Sequence, residues 1–249
     1  MPRLICACFL SLAAVCLPAL PGAAAEQFTP AQRAEIVAIV RQALKQDPSI
    51  LRDAVAALQA DDAAHAAAES QAVLAAHRDM LVTPADPVAG NPHGDVTIVE
   101  FFDTRCPYCR SMNPAMQKLI AEDHNVKVVY KDLPILGAAS MLGSKALLAA
   151  QRQGAYDQMR EAVMQMPSDT TLPMIEGAAE KLGLDWPKLQ HDMQSPAIQQ
   201  QIDTNLRLAQ ALNIDGTPAL VIGNSIVPGA LSLADLQKEV AAAQETAKR

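Results

Sequence analysis

The chain has 249 residues, of which 50% are hydrophobic and 3% are aromatic, and this length is sufficient for one domain of ordinary size and a smaller one. The 27 acidic residues outnumber the 20 basic residues and give a formal net charge of −7. This charge argues against nucleic acid or an anionic membrane surface as a partner.

Residues 1–25 are predicted to be a cleavable signal peptide. Arg3 supplies a short positive region, an apolar stretch runs from Leu4 to Leu17, and three alanines at 23–25 offer a small-residue cleavage site. The stretch is shorter than the roughly 20 apolar residues that a membrane span needs. We therefore expect export to the periplasm, with an uncleaved anchor as the alternative.

Removal of this segment would leave only two of the five cysteines. Cys6, Cys8 and Cys16 would leave with the signal peptide, and Cys106 and Cys109 would remain. An exported protein whose only cysteines are so closely spaced is not a scaffold held by several disulfides. The pair is therefore predicted to carry out chemistry.

Residues 26–82 are predicted to form an α-helical arm. The pairs Thr29-Pro30 and Asp47-Pro48 each combine a helix-capping residue with a proline at the first helical position, and apolar residues at helical spacing follow. The segment has too few large apolar side chains for a core of its own. We expect it to join copies of the chain into a dimer or trimer. A solvated linker, or helices that fold back on the main domain, are the alternatives.

Residues 83–249 are predicted to form an α/β domain. A strand at 96–102 precedes the cysteine pair, a helix runs to about 123, and a second strand follows at 125–131. A helix that connects two such strands makes the strands parallel.

The residues from about 138 to 212 are predicted to be a helical insertion. Its proposed helices are 138–153, 155–165, 171–182, 186–192 and 196–212, and the chain then gives strands at 219–223 and 226–228 and a helix at 232–244. This order of elements predicts a thioredoxin fold with an inserted helical subdomain.

The segment around the cysteines has the arrangement that thiol redox chemistry requires. Cys106 falls at a helix start, where free backbone N–H groups and the helix dipole stabilise a thiolate. Cys109 is close enough to close a small disulfide ring. The spacer, Pro107 and Tyr108, contains no histidine, so we expect an oxidising centre that is not extreme.

Glu100 lies in an apolar strand six residues before Cys106. Burial there would raise the pKa of Glu100. Our hypothesis is that Glu100 relays a proton to or from Cys109. The alternative is a carboxylate at the strand end that faces solvent.

Pro218 stands where a strand begins, after Thr217. A proline is poorly tolerated in a central strand, and a cis Thr217–Pro218 bond accounts for its position. The backbone of Thr217 would then be available to pair with a bound peptide. A trans proline at a strand start is the alternative.

Metal binding is the competing chemistry for two thiols, which can hold Cu(I) or contribute to a zinc site. None of the five histidines clusters with the cysteines in the sequence. Met112 and Met116 are expected to fill the core. We predict no metal site and no cofactor. A copper-binding or chaperone module remains the non-enzymatic alternative.

Three segments resemble the DsbA family of bacterial periplasmic thiol–disulfide oxidoreductases. They are Glu100–Cys109, Leu133–Leu136 and Gly216–Ala219, and the helices from Phe28 to Leu58 are similar to those of the oligomerising, ScsC-type branch. The resemblance covers nearly the whole mature chain. It implies a thioredoxin fold and dithiol–disulfide exchange with other exported proteins.

The resemblance also implies individual roles. Cys106 would be the exposed attacking thiol and Cys109 the buried resolving thiol. Glu100 would be a buried acid beneath the dithiol, and Thr217-Pro218 a cis-proline loop packed against it.

The resemblance leaves several partners and activities open. Clients would be exported proteins with thiols or disulfides, and a membrane protein of DsbD or DsbB type would reset the site. The arm, Tyr108 and Thr217 favour an isomerase or reductase. A DsbA-like oxidase is the alternative.

Overall fold

The computed structural model describes residues 28–247. The predicted signal peptide, with Cys6, Cys8 and Cys16, lies outside the described residues. The chain divides into two compact units, between Ala60 and Asp61. This division differs from the predicted one at residue 82.

The first part of the chain is helical, as predicted. Helix α1 spans Pro30–Gln46, α2 spans Ser49–Ala76 and α3 spans Arg78–Leu81. Thr29 caps α1 through a capping box with Gln32, which satisfies two backbone N–H groups at the helix start. Helix α1 buries none of its residues. The exposed large apolar side chains of α1 and the first half of α2 are Ile36, Val37, Ile39, Val40, Ile50, Leu51, Val55 and Leu58.

A five-stranded sheet forms the centre of the second unit, with the order β1-β3-β2-β4-β5. Its strands are β1 at Val88–Gly90, β2 at Val96–Phe102, β3 at Val126–Asp132, β4 at Ala219–Ile222 and β5 at Ser225–Pro228. Strands β2 and β3 are parallel, as predicted, and the other neighbours are antiparallel. Strand β1 is an addition to the prediction, which gave no strand before residue 96.

Seven helices complete the described part of the second unit. They are α4 at Pro107–Glu122, α5 at Ala138–Gln151, α6 at Tyr156–Met164, α7 at Leu172–Lys181, α8 at Trp186–Met193, α9 at Pro196–Ala211 and α10 at Leu233–Ala247. The five insertion helices match the predicted ones to within two residues at each end. Between residues 28 and 247, no helix has the length and apolar character needed to cross a membrane.

The sheet has an apolar core on each face. Ile98 and Phe102 of β2 pack with both cysteines and with α4, α5 and α6 on one face, and Val99 and Phe101 pack with α9 and Leu74 of α2 on the other. Alternate residues of a strand share a face. Glu100 therefore lies on the face that carries the dithiol.

Gly143 of helix α5 packs closely against Thr104, in the loop before the cysteines. A Cβ atom there would lie 2.5 Å from Oγ1 of Thr104, so a Gly143→Ala variant must displace the Thr104 side chain or the helix. We expect a loss of about 1–3 kcal/mol in the free energy of unfolding, measured by urea denaturation. Gly177 in α7 is the control, because a Cβ there meets no atom within 4 Å, and its alanine variant should gain about 0.5–1 kcal/mol. Equal losses in both variants would contradict the prediction.

Candidate active site

The dithiol follows directly from the end of β2. The carboxylate of Asp103 accepts hydrogen bonds from the backbone N–H groups of Arg105, Ile135 and Leu136, at 2.8, 2.9 and 3.0 Å. These bonds tie the turn before the cysteines to the loop after β3. Cys106 is the N-cap of α4, and Pro107 is its first residue.

Cys106 lies against the loop before β4. Its thiol donates a hydrogen bond to the carbonyl oxygen of Thr217, with Sγ and O 3.1 Å apart. The Thr217–Pro218 bond is cis, which confirms the prediction. The expectation of an exposed Cys106 is wrong in this structure. Only 4% of the residue is exposed, because the cis-proline loop packs against it.

Cys109, one helical turn further on, is fully buried. Burial raises the pKa of its thiol, and the nearby Cys106 and Glu100 raise that pKa further. Both cysteines are free thiols in this structure. Between them, Tyr108 is 68% exposed and presents an aromatic side chain at the surface beside the dithiol.

Glu100 is fully buried, so a solvent-facing carboxylate is excluded. Burial raises the pKa of Glu100, and the Arg160 guanidinium opposes that shift. Nη2 of Arg160 lies 3.3 Å from both carboxylate oxygens. The buried acid therefore has one cationic partner within reach.

Arg160 is a site residue that sequence reasoning missed. It is 1% exposed, and its guanidinium lies 4.8 Å from the ring centre of Phe102 and 4.2 Å from that of Tyr130. It also donates to the side-chain oxygen of Asn113 in α4. A signal was present in the sequence, because Arg160 occupies the apolar stripe of α6 between Met159 and Val163.

A second buried acid, Asp132, was also missed, because the predicted strand stopped one residue before it. Asp132 accepts a hydrogen bond of 2.8 Å from the Tyr156 hydroxyl. Complete burial raises the pKa of Asp132 to about 7. Asp132 is therefore partly protonated near neutral pH.

The raised pKa of Asp132 makes stability depend on pH. The folded-state pKa of about 7 lies above the ordinary value of 3.8. The stability that depends on protonated Asp132 is therefore fully present below about pH 4 and is lost as the pH rises through 7. Between pH 5 and pH 8, the protein should lose about 2.5 kcal/mol of its free energy of unfolding because of Asp132. The free energy of unfolding of an Asp132→Asn variant, measured by urea denaturation at pH 5 and at pH 8, should not show this pH-dependent loss. The control is Asp169→Asn, at an exposed position, which should keep the full loss of stability between pH 5 and pH 8. Identical pH profiles for the two variants would contradict the prediction.

The two methionines that follow the dithiol in α4 fill the core. Met112 and Met116 of α4 are 1% and 0% exposed and belong to the core beneath the cysteines, as expected. Among residues 28–247, no three His, Cys, Asp or Glu side chains form a group that could hold a metal ion.

Two protein-family models match the chain. Residues 97–241 match the DSBA-like thioredoxin domain. Residues 32–65 match the N-terminal domain of the copper resistance protein ScsC.

Solved structures show the same two relationships. A thioredoxin-like oxidoreductase from Silicibacter pomeroyi is 41% identical, with a TM-score of 0.65 over 68% of this chain and 98% of that one. ScsC from Proteus mirabilis, in a transitional conformation, is 30% identical, with a TM-score of 0.65 over 88% of this chain and 98% of that one.

Curated relatives extend the comparison. The thiol:disulfide interchange protein DsbA of Bordetella parapertussis is 29% identical over 55% of this chain and 68% of that protein. The chain also matches the Na(+)/H(+) antiporter NhaA 1 of Salinispora arenicola at 26% identity, over 66% of this chain, and spans only 26% of that protein's length.

Proposed function

This chain belongs to the family of DSBA-like thioredoxin domains, and we propose on that basis that it is a thiol–disulfide oxidoreductase that acts through Cys106 and Cys109. One observation carries the proposal. The Cys106 thiol sits at the N-terminus of α4, in hydrogen-bond contact with the carbonyl of Thr217 in the cis-proline loop. This places a potential thiolate beside a backbone segment on which a client peptide can bind.

The proposed reaction transfers two electrons. The Cys106 thiolate attacks one sulfur of a client disulfide, the other client sulfur leaves as a thiolate, and a mixed disulfide forms. Cys109 then loses its proton and attacks Sγ of Cys106. The client's remaining sulfur leaves as a thiolate, and the Cys106–Cys109 disulfide is formed. Oxidation of a client dithiol is the same sequence in reverse.

Resolution requires that a buried thiol lose its proton, although burial raises the pKa of Cys109. We assign the acceptor role to Glu100, whose charge acts on Cys109 and whose own pKa is raised by burial. A carboxylate with a raised pKa is a stronger base than an ordinary one. Arg160 positions this carboxylate through its contact with both oxygens.

A Glu100→Gln variant tests this role. It should slow the resolution of a preformed mixed disulfide by about tenfold or more. It should also remove the step in the rate at the pH where Glu100 gives up its proton. Rapid-quench kinetics between pH 4 and pH 9 measure both effects. The control is Glu122→Gln at the exposed end of α4. A pH profile of Glu100→Gln that matches the control would show that Glu100 is not the acceptor.

We further propose that the protein acts as an isomerase or reductase in the periplasm, and that its copies associate through the arm. The row of exposed apolar side chains on α1 and the first half of α2 supports association, because such a row usually packs against another chain. The match of residues 32–65 to the ScsC N-terminal domain supports the same assignment. In this proposal, the clients are exported proteins with thiols or disulfides. A membrane protein of DsbD or DsbB type resets the dithiol.

Refolding of a scrambled disulfide protein by the full-length chain tests the activity. Recovery of the native protein with the reduced enzyme would support the isomerase. Fast oxidation of a reduced peptide without such recovery would instead indicate an oxidase. Stoichiometric copper binding, with no mixed disulfides trapped by Cys109→Ala, would indicate a binding module.

Deletion of residues 26–60 tests the arm by light scattering. The deletion ends where the second compact unit begins and so keeps the residues of α2 that pack on the sheet. The proposal expects an oligomer to become a monomer. An unchanged mass would contradict it.

A further inference from the structure

A groove adjoins the cis-proline loop on the face of the sheet opposite α4. Its volume is about 470 Å³, which is within the range of pockets that hold small ligands. One wall is the part of α2 that carries Ala66, Glu69 and Val73. The other wall is formed by Ile226 and Pro228 of β5. We call it the arm-side groove.

The arm-side groove ends at the cis-proline loop, which contacts the dithiol. Thr217 and Pro218 line it, and the carbonyl of the same Thr217 is 3.1 Å from Sγ of Cys106. A polypeptide whose cysteine reacts with Cys106 therefore has the groove within reach of its neighbouring residues.

The wall formed by α2 is fixed in place. Leu74, one residue after Val73, is 2% exposed and packs in the same core cluster as Ala219 of β4. The groove is therefore preformed, and a ligand need not pay the entropy of ordering its walls.

The charges that line the groove have one sign. Its only charged lining residues are Glu69 and Asp215, which are both exposed. Within the described part of the chain, neither carboxylate takes part in an ion pair. Their charges are therefore available to a ligand, and the remaining lining is mostly apolar or backbone.

We propose that the arm-side groove binds an extended segment of the client next to its reacting cysteine and prefers a basic side chain there. The inference rests on the proposed function. It makes α2 part of the client-binding surface, and Glu69 and Asp215 specificity-determining residues.

The test uses the oxidised full-length protein and three reduced peptides. Each peptide has a single cysteine, and the two residues on each side of it are lysine, glutamine or glutamate. Each exchange rate is divided by the rate of the same protein with dithiothreitol, which is too small to fill the groove. At low salt, the lysine peptide should react about threefold faster than the glutamine peptide, and the glutamate peptide should be the slowest. The preference should shrink at high salt.

Two pairs of variants locate the effect. The double variant Glu69→Gln, Asp215→Asn should remove the lysine preference. Glu180→Gln with Glu245→Gln, exposed on α7 and α10, changes the net charge equally and should retain it. Ala66→Phe should slow all three peptides relative to dithiothreitol. Ala67→Phe, one residue away and outside the groove, should not.

The outcomes separate the two proposals. Failure of the unmodified protein to exchange with dithiothreitol would overturn the proposed function, and this inference with it. Exchange with dithiothreitol but without a lysine preference would overturn only the proposal that the groove binds a basic client segment. A preference that survives in the Glu69→Gln, Asp215→Asn variant, or equal slowing by the two phenylalanine variants, would also overturn the groove.

Discussion

A Cys106→Ser variant is expected to lose at least about 99% of the rate at which the protein reduces a client disulfide, because a hydroxyl at neutral pH cannot supply the nucleophile that a thiolate does. Serine keeps the size of the side chain and can still donate to the carbonyl of Thr217, 3.1 Å away in the native structure. The fold should therefore remain. Insulin reduction in the presence of glutathione measures the rate.

Cys109→Ala should give a different defect. The attacking thiol remains, so mixed disulfides with clients form, but the side chain that resolves them is absent. Non-reducing electrophoresis should show client adducts with Cys109→Ala and none with the double variant Cys106→Ser, Cys109→Ala. Adducts that form through position 109 when Cys106 is replaced would contradict the assigned order, since Cys109 is fully buried.

The strand, turn and helix around the dithiol were predictable because their signals are local. A β-branched run, a two-residue spacer with proline and a following helical period depend on neighbours in the sequence. The cis peptide at Thr217 was predicted mostly from the resemblance to the DsbA family, and the position of a proline at a strand start supported it. The exposure of Cys106 was not predictable locally, because the residue that covers it lies 111 positions away.

The division of the chain also depended on distant contacts. Lys131 of β3 is buried and donates to Asp86 at 2.6 Å and to the carbonyl of Met80 at 2.9 Å. These bonds hold the end of the predicted arm on the sheet, across the boundary that the sequence placed at residue 82. A lysine near the end of a strand is ordinarily exposed, so nothing in the sequence indicated that it would be buried and paired.

An Arg160→Met variant is expected to lose about 3–5 kcal/mol in the free energy of unfolding at pH 8, the usual cost of leaving one charge of a buried pair without its partner. Arg160 and Glu100 are 1% and 0% exposed. Methionine fills similar space against Phe102 and Tyr130, so the loss reports the charge more than the packing. Urea denaturation followed by circular dichroism measures it.

The pH dependence of this loss distinguishes charge from shape. Glu100 already has a raised pKa because of burial, and Arg160 is the partner that lowers it. Without Arg160 the folded-state pKa of Glu100 rises further. The Arg160→Met variant should then be most stable at low pH, and its free energy of unfolding should fall as the pH rises through that pKa. The destabilisation should therefore be smaller at pH 5 than at pH 8, whereas a packing defect would cost the same at both.

Two further variants distinguish the loss of charge from the loss of packing. Glu100→Gln combined with Arg160→Met leaves no buried charge and should recover most of the loss at pH 8. Arg152→Met breaks another arginine–carboxylate pair, with Asp192 at 2.9 Å, but the Arg152 side chain is 36% exposed. It should cost less than about 1 kcal/mol. If the double variant is no more stable than Arg160→Met alone, Arg160 serves the fold by packing, and its proposed role in positioning the Glu100 carboxylate fails.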